Sequence, residues 1–153
     1  MKVRELMSHN VCTCSPETSL HEAAHIMWTC DVGCLVVTDD DRRPIGMITD
    51  RDITMAAYTQ GVTLHDARVS SAMARTIVTC SVDASSHEVE LLMNRAQVRR
   101  VPVVDALGRL MGIVALADLA RAAQHPLHIA EMPGLTKTLA AITQRRLDGM
   151  TGI

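Results

Sequence analysis

Residues 44–53 read PIGMITDRDI, and residues 110–119 read LMGIVALADL. When the chain is aligned with itself at an offset of 66 residues, these two stretches coincide without a gap. The same offset matches residues 3–57 with residues 69–123 and gives 17 identities. Two copies are too few for a solenoid, so the duplication predicts two pseudo-symmetric halves that pack on each other.

Each copy carries the same order of secondary-structure signals. A short run rich in β-branched residues (residues 11–14 or 77–80) predicts a strand, and a Ser-x-x-Glu capping box (residues 19–22 or 85–88) predicts the start of a helix. Two further strands, separated by a turn, and a second helix follow in both copies. The pattern therefore predicts an α+β fold in which two β-α-β-β-α repeats pack through their small sheets.

The duplication also sets the expected domain boundaries. We place the repeats at residues 1–62 and 63–124, which leaves residues 125–153 as a C-terminal extension. Within the extension, residues 135–147 have the apolar spacing of a helix. The apolar residues on one side of this helix are Leu135, Leu139 and Ile142. The helix is expected either to fold back on the repeats or across a dimer, or to dock a partner.

Composition excludes several classes of protein. The chain has 153 residues, a formal net charge of −2 and 1% aromatic residues, so it lacks the basic excess and the stacking rings of a nucleic-acid binder. No apolar run approaches the roughly 18 residues of a membrane helix. The first residues, MKVRELMSHN, contain no apolar stretch typical of a signal peptide. These features predict a cytoplasmic protein that contacts neither nucleic acid nor membrane.

The reactive residue types form no catalytic or metal-binding motif. No nucleophile–base set and no phosphate loop is recognisable, so we expect no enzyme activity and no catalytic residue. The five cysteines include no CxxC pair, and the seven histidines lack the spacing of a zinc site. We expect buried, inert thiols without a disulfide framework or a bound metal. The alternative is a thiol or metal redox sensor that uses Cys12, Cys14 and Cys80.

These residues resemble the CBS domain, named after cystathionine β-synthase, in its usual tandem pair. The resemblance is carried by PIGMITDRDI at residues 44–53, by VRRVPVVD at residues 98–105 and by the openings at Met7 and Met73, and it covers about residues 1–124. It implies a regulatory module whose two clefts bind AMP, ADP, ATP, NAD or S-adenosylmethionine and need no further cofactor. It also implies a homodimer that signals to an unidentified regulated protein. The remaining alternative is a structural dimerisation module with empty clefts.

One cleft is expected around Thr49 and Asp52. Both residues flank a predicted helix start, where the side chains serve as a cap and where free N–H groups favour a phosphate. The resemblance implies that Asp52 binds a ribose and that Arg99 and Arg100 reach the phosphate from the other copy. Gly46 is expected to let the ligand approach the backbone closely.

The second cleft is expected around Asp118, where Ala115 replaces the threonine of the first copy. The missing hydroxyl predicts weaker binding. By the same crossing of copies, Arg51 is expected to serve this cleft. The resemblance assigns adenine contacts in the first cleft to Val11, Thr13 and Val36. It assigns those in the second cleft to Ile77, Thr79 and Pro102.

Overall fold

The computed structural model describes residues 1–124 and 134–143. The first repeat contains β1 (Thr13–Cys14), α1 (Leu20–Cys30), β2 (Cys34–Thr38), β3 (Pro44–Thr49) and α2 (Asp50–Gln60). The second repeat contains β4 (Cys80–Ser81), α3 (Ser86–Ala96), β5 (Arg100–Val104), β6 (Leu110–Ala115) and α4 (Leu116–Ala123). A last helix, α5, spans Leu135–Thr143. The predicted α+β fold of two β-α-β-β-α repeats is confirmed.

Side-chain caps start the helix of each repeat where the sequence predicts. The Ser19 hydroxyl accepts a hydrogen bond from the Glu22 N–H at 3.1 Å. The Ser85 hydroxyl accepts one from the Glu88 N–H at 3.2 Å, and the Glu88 carboxylate accepts one from the Ser85 N–H at 2.6 Å. These bonds satisfy N–H groups that have no partner within the helix, which fixes the residue at which each helix begins.

The two repeats form sheets of the same topology. In the first, β1 pairs parallel with β2, and β2 pairs antiparallel with β3. In the second, β4, β5 and β6 repeat this arrangement. Both sheets place their central strand in the core: Leu35, Val36 and Val37 of β2, and Val101 and Val103 of β5, are fully buried. Aliphatic side chains therefore build each core, as a chain with two aromatic residues requires.

The start of each repeat packs into the core of the other. Val3 and Met7 are buried with the side chains of the second sheet, whereas Val69 and Met73 are buried with those of the first. Residues 8 and 113 exchange two backbone hydrogen bonds of 2.9 and 3.0 Å. Residues 47 and 74 do the same at 3.0 and 2.8 Å. These crossing segments bind the two repeats together.

The crossing explains the two matching glycines. A Cβ atom on Gly46 would lie 2.8 Å from the carbonyl oxygen of Ala74, and one on Gly112 would lie 2.9 Å from that of Ser8. The expectation that Gly46 makes room for a ligand is therefore wrong. The residue makes room for the backbone of the other repeat, because the two chains bridge at this point.

Helix α5 lies against α3 and α4 of the second repeat. Thr138 and Ile142 are buried there, and the Thr138 hydroxyl donates to the carboxylate of Glu90 at 3.2 Å. Leu139, predicted on the buried side, is 49% exposed. Thr138 takes its place because Glu90, itself buried, needs a hydrogen-bond donor. The helix therefore folds back on the second repeat, which is one of the two arrangements that the sequence predicts. The last four residues of the predicted helix, 144–147, lie outside the described residues.

Candidate functional site

Two clefts lie between the repeats, one at the C-terminal end of β3 and one at that of β6. The first, the Thr49 cleft, has a volume of about 440 Å³. It is bounded by the end of β3 and the start of α2, by the start of β2, by residues 74–78 and by residues 98–100. The second, the Asp118 cleft, has a volume of about 330 Å³ and is bounded largely by the pseudo-symmetric segments. The clefts therefore occupy equivalent places in the two repeats.

Thr49 and Asp52 form a closed set of hydrogen bonds at the start of α2. The Thr49 N–H and the Thr49 hydroxyl both donate to Oδ2 of Asp52 at 2.8 Å, and the Asp52 N–H donates to the Thr49 hydroxyl at 3.2 Å. Thr49 lines the cleft, whereas Asp52 lies half-buried behind it. The capping role that the spacing predicts is confirmed, and the Asp52 carboxylate fixes the orientation of the hydroxyl at the cleft wall.

Three arginines line the Thr49 cleft: Arg51, Arg99 and Arg100. All three are exposed, and in the described part of the chain none of their guanidinium groups forms a hydrogen bond or an ion pair. Arg99 and Arg100 come from the second repeat and Arg51 from the first. Unpaired guanidinium groups that converge on one cleft suit a phosphate, which each can bind through two parallel hydrogen bonds.

Within the described residues, the Asp118 carboxylate, unlike that of Asp52, is already paired with a basic side chain. Oδ2 of Asp118 accepts from the Ala115 N–H at 2.7 Å, and Oδ1 pairs with Nη2 of Arg121, one turn further along α4. Asp118 is 9% exposed, so the carboxylate of this ion pair is largely buried. Sequence reasoning missed Arg121, although its i,i+3 spacing from Asp118 is a signal for such a pair.

Several predicted contact residues lie in the opposite cleft. Val11 and Val36 line the Asp118 cleft rather than the Thr49 cleft, and Ile77 lines the Thr49 cleft. Arg51, expected at the Asp118 cleft, lines the Thr49 cleft. Val11 and Ile77 lie in the opposite clefts because the opening segment of each repeat crosses to the strand end of the other, which the sequence offset alone does not reveal. Arg51 instead stays at the cleft of its own repeat, because it lies in the first turn of α2 beside Thr49.

Three other predicted residues line neither cleft. They are Thr13, Thr79 and Pro102. Thr13 is exposed on β1, and Pro102 is buried within β5. Arg100, in contrast, lines both clefts because it lies at the start of the central strand between them.

The cysteines depart from the sequence expectation. Cys12 and Cys30 form a disulfide, which the odd cysteine number and the absence of a CxxC pair did not predict. Cys14, Cys34 and Cys80 are buried free thiols, as expected. Burial raises the pKa of Cys14 and of Cys80 to about 11, and the charge of Glu22 adds to the effect at Cys14. Since the thiolate is the reactive form of cysteine, burial lowers the reactivity of these two thiols.

Within residues 1–124 and 134–143, no group of three or more His, Cys, Asp or Glu side chains is placed to hold a metal ion. No helix in the same residues is both long enough and apolar enough to cross a bilayer.

The fold and the paired clefts define a tandem CBS module. The sequence pattern of the CBS domain matches residues 3–58 and 69–125, and the chain belongs to this family. It is 31% identical over 119 residues to the uncharacterized protein MK0525 of Methanopyrus kandleri, covering 78% of this chain and 61% of that protein. The chain thus spans about three-fifths of the length of this relative.

Two further proteins are similar in both sequence and structure. Hypoxic response protein 1 of Mycobacterium tuberculosis is 36% identical over 118 residues, which cover 77% of this chain and 82% of that protein. Its crystal structure with two coordinated zinc ions superposes with a TM-score of 0.71 over 79% of this chain and 98% of that one. The CBS domain pair of protein MJ0100, in complex with 5-methylthioadenosine and S-adenosyl-L-methionine, is 27% identical, with a TM-score of 0.70 over 79% and 94% of the two chains.

Proposed function

We propose that this chain is a regulatory module that binds a phosphate-bearing adenosine nucleotide in the Thr49 cleft and signals to a partner protein. The observation that carries the proposal is the convergence of three unpaired guanidinium groups on the cleft that Thr49 lines, with its hydroxyl held by Asp52. The adenosine ligands of the MJ0100 domain pair support the class of ligand.

The charges of the cleft favour some adenosine ligands over others. AMP, ADP, ATP and NAD carry phosphates that the three arginines neutralise, whereas S-adenosylmethionine carries a cationic sulfonium that the same arginines repel. The apolar wall near the phosphate site includes Ile77 and Val78, which fit the face of a purine. We therefore rank the phosphate-bearing nucleotides above S-adenosylmethionine for the Thr49 cleft.

A calorimetric and thermal-shift screen with AMP, ADP, ATP, NAD and S-adenosylmethionine tests this function. A ligand at a hundredfold excess over its Kd stabilises the folded chain by about 2.7 kcal/mol, which is readily measured as a rise in Tm. We expect at least one phosphate-bearing nucleotide to stabilise the chain more than S-adenosylmethionine does. No stabilisation by any of the five at millimolar concentration would leave the structural dimerisation module as the better account.

We also place the expected homodimer on the face formed by α1 and α2. Trp28 is 87% exposed and Tyr58 is 81% exposed on this face. Because aromatic side chains are enriched at protein–protein interfaces, their exposure indicates a surface that a partner covers. On the second repeat, α5 covers the equivalent groove between α3 and α4. The first repeat therefore offers the open helical face, and a second copy would bury both aromatic residues.

Sedimentation velocity of a Trp28→Glu, Tyr58→Glu variant tests this placement. We expect the wild type to be dimeric and the variant to be monomeric, because two charges would have to be buried at the interface. Leu107→Glu is the matched control, since Leu107 is 62% exposed in the turn between β5 and β6. A dimer that persists in the double variant, or a monomeric wild type, rules out this interface.

A further inference from the structure

The Cys12–Cys30 disulfide joins two walls of the Asp118 cleft. Cys12 belongs to one wall, which residues 10–12 form. Cys30 ends α1, and the four residues that follow it, 31–34, form another wall of the same cleft. The disulfide therefore ties together two segments that a ligand in this cleft would contact.

The tether is present in only one of the two clefts. Under the offset of 66 residues, the positions equivalent to Cys12 and Cys30 are Val78 and Ala96. Val78 lines the Thr49 cleft as Cys12 lines the Asp118 cleft. Residues 33 and 34 line both clefts, so the internal control within the same molecule is the pair of Thr49-cleft walls at residues 74–78 and 98–100, which the cross-link does not join.

Few backbone contacts hold the Cys12 wall in place. The Val11 N–H donates to the carbonyl of His9, within the same segment, at 3.1 Å. The Cys12 carbonyl accepts from the Val36 N–H at 3.3 Å, before β1 begins at Thr13. The segment has no regular secondary structure, so the cross-link to the end of α1 removes much of its remaining freedom.

We propose that the Cys12–Cys30 disulfide is a reducible site that sets the affinity of the Asp118 cleft for its ligand. The substrate of the exchange is a dithiol. Its thiolate attacks a sulfur of the disulfide, its second thiol resolves the mixed disulfide, and the dithiol leaves oxidised as two cysteine thiols form on this chain. Cys30 is exposed, which gives the reductant access. The oxidised chain holds the cleft walls together, and the reduced chain binds more weakly.

Hydrogen exchange measured by mass spectrometry tests the structural half of this inference. We expect dithiothreitol to speed exchange about tenfold in residues 8–14 and 30–36 and to leave residues 74–80 and 96–102 unchanged. Thiol titration in denaturant should count three thiols before reduction and five after it. Five thiols in a chain already treated with oxidised glutathione, or equal changes in both repeats, would overturn the proposal.

A disulfide-free variant controls for other effects of the reductant. Cys12→Ser, Cys30→Ser should exchange like the reduced wild type, and dithiothreitol should change it no further. The reductant experiment on the wild type stands even if this variant folds poorly. A response of the variant to dithiothreitol would assign the effect elsewhere and contradict the proposal.

The ligand half of this inference rests on the proposed function. AMP binding is measured by calorimetry in an Arg51→Ala, Arg99→Ala background, because these arginines line only the Thr49 cleft. We expect reduction to weaken the remaining AMP site about tenfold and to leave the Thr49 site of the wild type unchanged. Equal affinity in both redox states refutes the regulation. If the wild-type chain binds no nucleotide in either redox state, the proposed function fails. Hydrogen exchange still decides, independently, whether the disulfide restrains residues 10–12 of the Asp118 cleft.

Discussion

The Thr49 cleft and the Asp118 cleft occupy equivalent places in the two repeats and differ in whether their charged side chains are paired. In the Thr49 cleft, the Asp52 carboxylate accepts a hydrogen bond from the Thr49 hydroxyl. The three guanidinium groups that line this cleft have no hydrogen-bond or ion-pair partner in the described chain. In the Asp118 cleft, the acid is paired with Arg121, and alanine stands where the hydroxyl would be. Both repeats of the duplicated fold therefore have a cleft at the same place. A few substitutions decide whether the charged side chains of that cleft are free to contact a ligand.

Removing the arginine pair should produce the largest effect. Arg99→Ala, Arg100→Ala eliminates two charge-assisted contacts, each worth about 1.5–3 kcal/mol, so we expect nucleotide affinity at the Thr49 cleft to fall at least about 100-fold. Calorimetry with the tightest nucleotide of the screen measures the loss. Arg95→Ala is the control, because Arg95 is an exposed arginine of α3 that lines neither cleft. Equal losses in both variants would mean that general charge, rather than this cleft, attracts the nucleotide.

Adding a methyl group at the crossing points should affect both repeats alike. Gly46→Ala and Gly112→Ala each place a Cβ atom under 3.0 Å from the backbone of the other repeat. We expect each to lower the free energy of unfolding by about 1–3 kcal/mol, because the bridged backbones must move apart. Urea denaturation measures this loss, with Gly33→Ala as a milder control whose Cβ has its nearest neighbour at 3.4 Å. Unchanged stability of both crossing variants would contradict the tight bridge.

The matching thiols Cys14 and Cys80 should also behave alike. Burial raises the pKa of both to about 11, above the ordinary value of 9.0. Between pH 9 and about pH 11, the folded chain therefore retains protons that the unfolded chain releases. The free energy of unfolding falls as the pH rises through this range. We expect about 1 kcal/mol of loss per thiol between pH 8.5 and about pH 10. Urea denaturation of the Cys14→Ala and Cys80→Ala variants across this pH range measures the loss. In each variant, the fall in the free energy of unfolding should be smaller by the contribution of one thiol.

Restoring the hydroxyl of the second cleft should produce the smallest change. Ala115 precedes α4 without a side-chain cap, so Ala115→Thr is expected to add about 0.5–2 kcal/mol of stability. The same hydroxyl should tighten AMP binding at the Asp118 cleft about two- to tenfold. Thermal unfolding and calorimetry measure the two effects. Thr49→Ala is the reciprocal variant, and a gain in stability from it would contradict the capping geometry.

Local sequence signals predicted most of the fold. The capping boxes at Ser19 and Ser85, the strand pairs and the helix at Leu135–Thr143 all depend on residues close together in the chain, so the pattern is sufficient. The convergence of Arg99 and Arg100 on the Thr49 cleft was also predicted, through the family resemblance. The cleft that Val11 lines and the cleft that Ile77 lines were not predicted, because both depend on a chain crossing.

The amino-acid sequence by itself determined the duplication, because the two copies match residue by residue without a gap. It also determined the order of strands and helices and the Thr49–Asp52 cap, because these rest on spacings of a few residues. Only the tertiary structure decided the exchange of the opening segments, the pairing of Cys12 with Cys30 and the burial of Thr138 on Glu90. These contacts join residues that are distant in the chain. Their energy comes from packing and hydrogen bonding between complete elements, and no local pattern encodes which distant partner will be nearest.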